Sequence, residues 1–215
     1  TWSCPQNVSE PVNTLHHECC PWVNDDQTAM IFSRPAYTLE LNGSWIARRD
    51  SADDPWGEPE RLPGALGDLL NTNYHNFHLT PSGDLYFEQQ PESMATLYYA
   101  ASTGPGTWGE FERMPGAFQS EHEDTQIWIN RAETELYFNR RDSDSGNTQL
   151  LRAERADPSV PWGEPQVVPV IGFEDGNGSL AWGEPSFTDE GDLFFLRVDF
   201  ATPHLDTILM RAPRN

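Results

Sequence analysis

The sequence predicts an all-β fold, and three features predict it: a long-period repeat, the make-up of the segments inside it, and the lack of helical periodicity. Trp2, Trp56, Trp108 and Trp162 stand 54, 52 and 54 residues apart, and one further step of this size reaches the C-terminus. Within each interval, short aromatic and β-branched runs alternate with Asp, Gly, Asn, Ser and Pro, as antiparallel strands joined by tight turns require. No segment sustains an apolar period of 3.6 residues, and 18 prolines oppose helix. Four-stranded units repeating at about 40 to 50 residues bury their faces against neighbours around a central channel. The expectation is therefore a four-bladed β-propeller of four ~53-residue units, 2–55, 56–107, 108–161 and 162–215, filling residues 1–215 as a single domain.

Each unit presents its landmarks in one order. The first runs from Trp2 through Asn13-Thr14 and the polar segment Asn24 to Thr28 to Met30-Ile31-Phe32 and Trp45-Ile46-Ala47-Arg48. The second has Trp56, Pro59, Leu62-Pro63, the turn Thr80-Pro81-Ser82-Gly83-Asp84, the strand Leu85-Tyr86-Phe87, and Leu97-Tyr98-Tyr99-Ala100. The third has Trp108-Gly109-Glu110, Met114-Pro115, Asn130 to Glu135, Leu136-Tyr137-Phe138 and Leu150-Leu151-Arg152-Ala153. The fourth has Trp162-Gly163-Glu164-Pro165, Thr188 to Asp192, Leu193-Phe194-Phe195 and Leu209-Met210-Arg211-Ala212.

The Trp-x-x-Pro start, the polar turn before the Leu-Tyr-Phe strand, and Arg34, Arg140 and Arg197 two residues after it give the repeat a resemblance to the PD40 group of WD40-like units, also found in TolB-type propellers. The resemblance spans all four units and implies the fold; it leaves function to be argued from the site. Gln89 stands where the other units place Arg. One Arg per unit in an acidic chain is expected to pair with Asp or Glu of an adjacent blade.

The chain opens on the outer-strand segment and ends on the strand that should precede it. Residues 2–8 are thus expected to complete the fourth blade and remove an exposed edge. Cys4 can bridge to Cys19 or Cys20, or the adjacent pair can form a vicinal disulfide. Such a framework points to an oxidising compartment, secreted or periplasmic, with the signal peptide removed.

Charge narrows the partners. There are 34 acidic and 13 basic residues, all of the latter Arg, for a net charge of −21. Nucleic acid and anionic membrane surfaces are repelled, no apolar run approaches a membrane span, and Schiff-base and phosphate-loop lysine chemistry are excluded.

Chemistry is expected at the histidines. His17-Glu18, His75-Asn76 and His122-Glu123 occur shortly before the inner strand of three units, and inner strands line the channel of a propeller. Three imidazoles converging on the axis would form an open metal site for a divalent transition metal (Zn, Cu, Fe or Mn). Glu18, Glu123 or Glu184 would then serve as the base beside metal-activated water. The fourth unit offers Trp182-Gly183-Glu184 instead, and Trp182 would stack on a ligand. Trp22 and Trp128 match one another on inner strands and are expected to pack between blades; His78, close to His75, is expected as a supporting or packed residue. The polar run Asp142 to Asn147 lacks a twelfth-position Glu and reads as a hairpin tip.

Two functions follow. In the first, an exported propeller holds a metal ion and acts as a metal-dependent enzyme of lyase or hydrolase type on a small molecule or oligosaccharide, as the resemblance implies through propeller lyases acting on acidic oligosaccharides. In the alternative, a non-catalytic module binds a glycan or protein through its loops.

Overall fold

Strands form where bulky residues alternate between two buried faces. The protein is seen in a computed structural model that describes residues 7–8, 10–34, 43–63, 66, 73–90, 94–142, 144, 146, 148–169, 180–188, 191–199 and 206–212. Four antiparallel sheets are arranged as the blades of a four-bladed β-propeller, with chain-order neighbours paired throughout. Blade 1 comprises β1 (Cys19–Val23), β2 (Ala29–Arg34), β3 (Gly43–Arg48) and β4 (Glu60–Arg61). Blade 2 comprises β5 (Asn73–Leu79), β6 (Leu85–Gln90), β7 (Thr96–Gly104) and β8 (Thr107–Arg113). Blade 3 comprises β9 (Glu123–Ile129), β10 (Glu135–Arg141), β11 (Thr148–Glu154) and β12 (Gln166–Val167). Blade 4 contains β13 (Leu180–Phe187), β14 (Leu193–Asp199) and β15 (Asp206–Ala212). Each sheet therefore begins at an inner strand, and the Trp-to-Trp period is offset from it by one strand. The expected closing strand lies largely in residues 1–6, outside the described residues, as does Cys4.

The Leu-Tyr-Phe strand recurs because each blade is covered on both sides. Successive strand residues face opposite ways, so Phe87 packs toward blade 1 while Tyr86 packs toward blade 3. Phe138 and Tyr137 repeat this division between blades 2 and 4. Phe32, Phe87 and Phe138 are fully buried, as is Ile31, which faces blade 2. The ring is thus held by apolar seams between blades, each side chain contributing about 1.5–3 kcal/mol on burial.

The repeated tryptophans fasten the outer strand to the turn between the first two strands. Each of these turns needs one residue in the left-handed region: Gln27 (φ 59°), Gly83 (φ 95°), Glu133 (φ 57°) and Gly191 (φ 88°). In blades 1 and 3, Arg49 and Arg155 stack on Trp56 and Trp162 at 4.2 and 4.1 Å. Their Nε groups donate to the carbonyls of Gln27 and Glu133. In blade 2, Ser102 pairs with Trp108 across the hairpin, and the indole itself donates to the Gly83 carbonyl at 2.8 Å. Trp108→Phe should therefore lower stability by about 1 kcal/mol, seen as a shifted denaturant midpoint at an unchanged slope. Neighbouring turns are also linked, since the buried Glu133 carboxylate accepts from Ser82 N at 2.7 Å and Ser82 Oγ at 2.9 Å.

Arg34 and Arg140 find acids, but within their own blade. Arg140 Nε and Nη2 meet Asp124 Oδ1 and Oδ2 at 2.7 and 2.8 Å, and Arg34 Nε lies 3.1 Å from Glu18 Oε1. The expected partner from an adjacent blade is corrected by register: Arg140 lies directly opposite Asp124. At the corresponding point, blade 2 pairs Gln89 with Tyr74 and blade 4 pairs Arg197 with Trp182, so neither supplies an acid there. Cys19 and Cys20 are not joined to each other, so the vicinal bridge is not formed. Among the described residues no helix is long and apolar enough to cross a membrane.

Candidate functional site

All four inner strands carry one extra residue at the same place. Cys19 and Trp22 lie opposite Ser33 and Ile31, so three steps on β1 match two on β2. The same shift separates His75 from His78, Thr125 from Trp128, and Gly183 from Ser186. Such a bulge bends the strand and re-aims the side chains after it. The bulged residues Cys20, Asn76 and Gln126 have φ of 54°, 50° and 57°, and register assigns Glu184 to the corresponding place in blade 4.

The three histidines expected to converge do not stand at equivalent sequence positions: His75 is one residue before the bulged position, His17 three before and His122 four before. His17 lies in an exposed loop, and His122 Nδ1 is 3.9 Å from Asp142 Oδ2. For His75, Trp182 and Glu184 the description covers the backbone alone. No group of three or more His, Cys, Asp or Glu able to hold a metal occurs among the described residues. Glu18 is ion-paired to Arg34 and accepts from Thr14 Oγ1 at 2.6 Å, while Glu123 lies 3.7 Å from Arg141 Nη1. Both therefore belong to ion pairs near the start of the inner strands.

At the bulges, a polar belt joins blades 2, 3 and 4. The buried Glu88 carboxylate accepts from Asn76 Nδ2 and Gln126 N, each at 2.9 Å. Asn139 Nδ2 donates to Gln126 Oε1 at 2.6 Å, and Gly183 lies so close to this amide that a Cβ would approach it to 3.0 Å. Beside the belt, Cys20 hydrogen-bonds to Cys19 and lowers its thiol pKa to about 7, with burial opposing the shift.

Two residues beyond the bulge, toward the turn face, the belt gives way to rings. His78 lies edge-on between Trp22 and Trp128, with centroids 5.9 and 6.2 Å away. Phe187 extends the layer from blade 4, 4.9 Å from Trp128 and 4.0 Å from Tyr137. Burial drives the His78 pKa down to about 4, against a raising contribution from its hydrogen bond with the Ile129 main chain. The imidazole is therefore neutral and part of an aromatic wall. Sequence reasoning matched Trp22 with Trp128 but missed that His78 shares their position. Counting back from the following Phe would find it: ten residues to Trp22 and Trp128, nine to His78, because the second turn is one residue shorter.

These rings line a cavity of about 1300 Å³ on the turn face. Among the described residues, its charged lining comprises Asp25, Arg131, Glu135, Arg152, Glu154 and Glu164. Arg152 bridges Glu135 and Glu154, and Tyr137 OH donates to Glu135 Oε2 at 3.1 Å. Arg131 Nε meets Asp25 Oδ2 at 3.3 Å, linking the turns of blades 3 and 1. The cavity thus offers ring faces for stacking and planar charged groups for directional hydrogen bonds, the usual ingredients of a small-molecule site.

No family model and no curated protein sequence matches the chain. Solved structures do resemble it in fold. A thermostable family-43 glycoside hydrolase superposes with a TM-score of 0.56 at 14% identity, covering 97% of this chain and 72% of that one. An endo-arabinase from Bacteroides thetaiotaomicron gives 0.54 at 12% identity, over 91% and 75%. A luciferin-regenerating enzyme gives 0.51 at 10% identity, over 92% and 77%.

Proposed function

We propose that this propeller is an oligosaccharide-binding protein whose site is the turn-face cavity. Sugar rings would stack on Trp22, Trp128 and Phe187, and hydroxyl groups would bond to the Glu135–Arg152 pair and to Gln166. The observation that carries this reading is the continuous ring wall beside charged planar groups already held in place by one another. A preorganised polar group costs little to immobilise when ligand arrives. Two of the similar folds belong to a glycoside hydrolase and an endo-arabinase, which supports sugar as the ligand class. The metal-centred reading gains no support from the histidine register and is not carried forward.

Titrating a panel of oligosaccharides while following tryptophan fluorescence tests the proposal. Trp128→Ala should weaken binding about tenfold or more, corresponding to the loss of about 1.4 kcal/mol. A melting curve on the same sample separates lost stacking from lost fold. Saturable quenching by no oligosaccharide, or an unchanged Kd in a folded Trp128→Ala protein, would overturn the assignment.

A further inference from the structure

We propose that the cavity selects cationic sugars, oligomers of a 2-amino sugar bearing protonated amines, over neutral or acidic ones. This rests on the oligosaccharide reading of the same cavity. Its walls carry four carboxylates, Asp25, Glu135, Glu154 and Glu164, against the guanidinium groups of Arg131 and Arg152. Both guanidinium groups are engaged, Arg131 with Asp25 and Arg152 with Glu135 and Glu154. Glu164 is exposed on the cavity wall, and no cation pairs with it among the described residues. Among the described residues, four negative charges against two positive leave the cavity lining with two in excess.

Selection follows from three fields of one sign. A uronic acid would meet repulsion from the excess carboxylates, a neutral sugar would be indifferent to them, and an ammonium group would be attracted. Tryptophan and tyrosine faces add cation–π attraction, which charge-neutral stacking lacks. The whole chain, at −21 with no Lys, adds a long-range attraction for cations. His78 stays neutral well above its pKa of about 4 and puts no opposing charge in the wall.

The test uses the full chain at pH 6, calorimetry, and three oligomers of equal length: glucosamine, N-acetylglucosamine and a uronic acid. The glucosamine oligomer should bind about tenfold tighter than its acetylated counterpart, and the uronic acid most weakly. Raising salt should shrink that preference, because exposed charges are screened within about 8–10 Å at moderate ionic strength. Glu164→Gln should narrow the preference for the glucosamine oligomer over the acetylated one, and an unchanged preference would argue against selection by this carboxylate. Equal or tighter binding of the neutral or acidic oligomer would overturn charge selection and leave the sugar site standing. Binding of none of the three, nor of any neutral oligosaccharide, would remove the site itself.

Discussion

Replacing Asp124 with alanine should lower the free energy of unfolding by about 3–5 kcal/mol, much of what a domain commonly holds. Asp124 is 1% exposed, and its two oxygens are both engaged by Arg140, which also donates to the Ala117 carbonyl at 3.1 Å. Burial pushes the Asp124 pKa up and the guanidinium pulls it down, with burial the larger influence. Attraction within the pair therefore largely offsets desolvation, and the pair adds little beyond an apolar substitute. Removing one member leaves the other as an uncompensated buried charge. Denaturant titration should show the large loss for Asp124→Ala and a much smaller one for the apolar double variant Asp124→Leu with Arg140→Met. Because the pair sits near the start of β9 and the cavity opens at its other end, oligosaccharide affinity should change little in any variant that still folds. Equal losses in the single and double variants would show that the two groups are not coupled. Lost binding with intact stability would make them recognition residues instead.

The arginine result shows why the blade was legible and its partners were not. Phe32, Phe87 and Phe138 repeat because every second strand is covered on both sides, a constraint that acts on each residue in turn and leaves a regular pattern. Register across a bulge leaves no such pattern. His17, His75 and His122 all come shortly before an inner strand, but they lie three, one and four residues before the bulged Cys20, Asn76 and Gln126, and nearness to a strand in sequence does not set a common position. Trp22, His78 and Trp128 meet because each stands two residues after the bulged residue of its own blade. The cavity was harder still to read, because Asp25, Arg131, Arg152 and Glu164 come from turns and outer strands far apart in sequence. Charge on a turn reads as solvation until the fold sets two turns facing each other, as Arg131 and Asp25 are.

Acidification should destabilise the protein through His78 by about 3 kcal/mol, from 1.4 kcal/mol per pKa unit over the interval between its unfolded and folded values. Burial holds the folded pKa at about 4, against the ordinary histidine value of 6.5. Above 6.5 neither state holds the proton, and the full stability is present. Between 6.5 and 4 the unfolded chain takes up a proton that the buried ring cannot, so stability falls as pH falls. Below about 4 both states are protonated and this contribution is lost. Unfolding measured at half-unit steps from pH 7 to 4 should show that slope, and His78→Phe should flatten it. The phenyl ring keeps the packing between Trp22 and Trp128 but gives up the bond with the Ile129 main chain, so the variant should start lower at pH 7 and lose less on acidification. An undiminished slope in His78→Phe would place the proton uptake on other groups. It would also remove the reason for regarding this imidazole as an uncharged member of the ring wall.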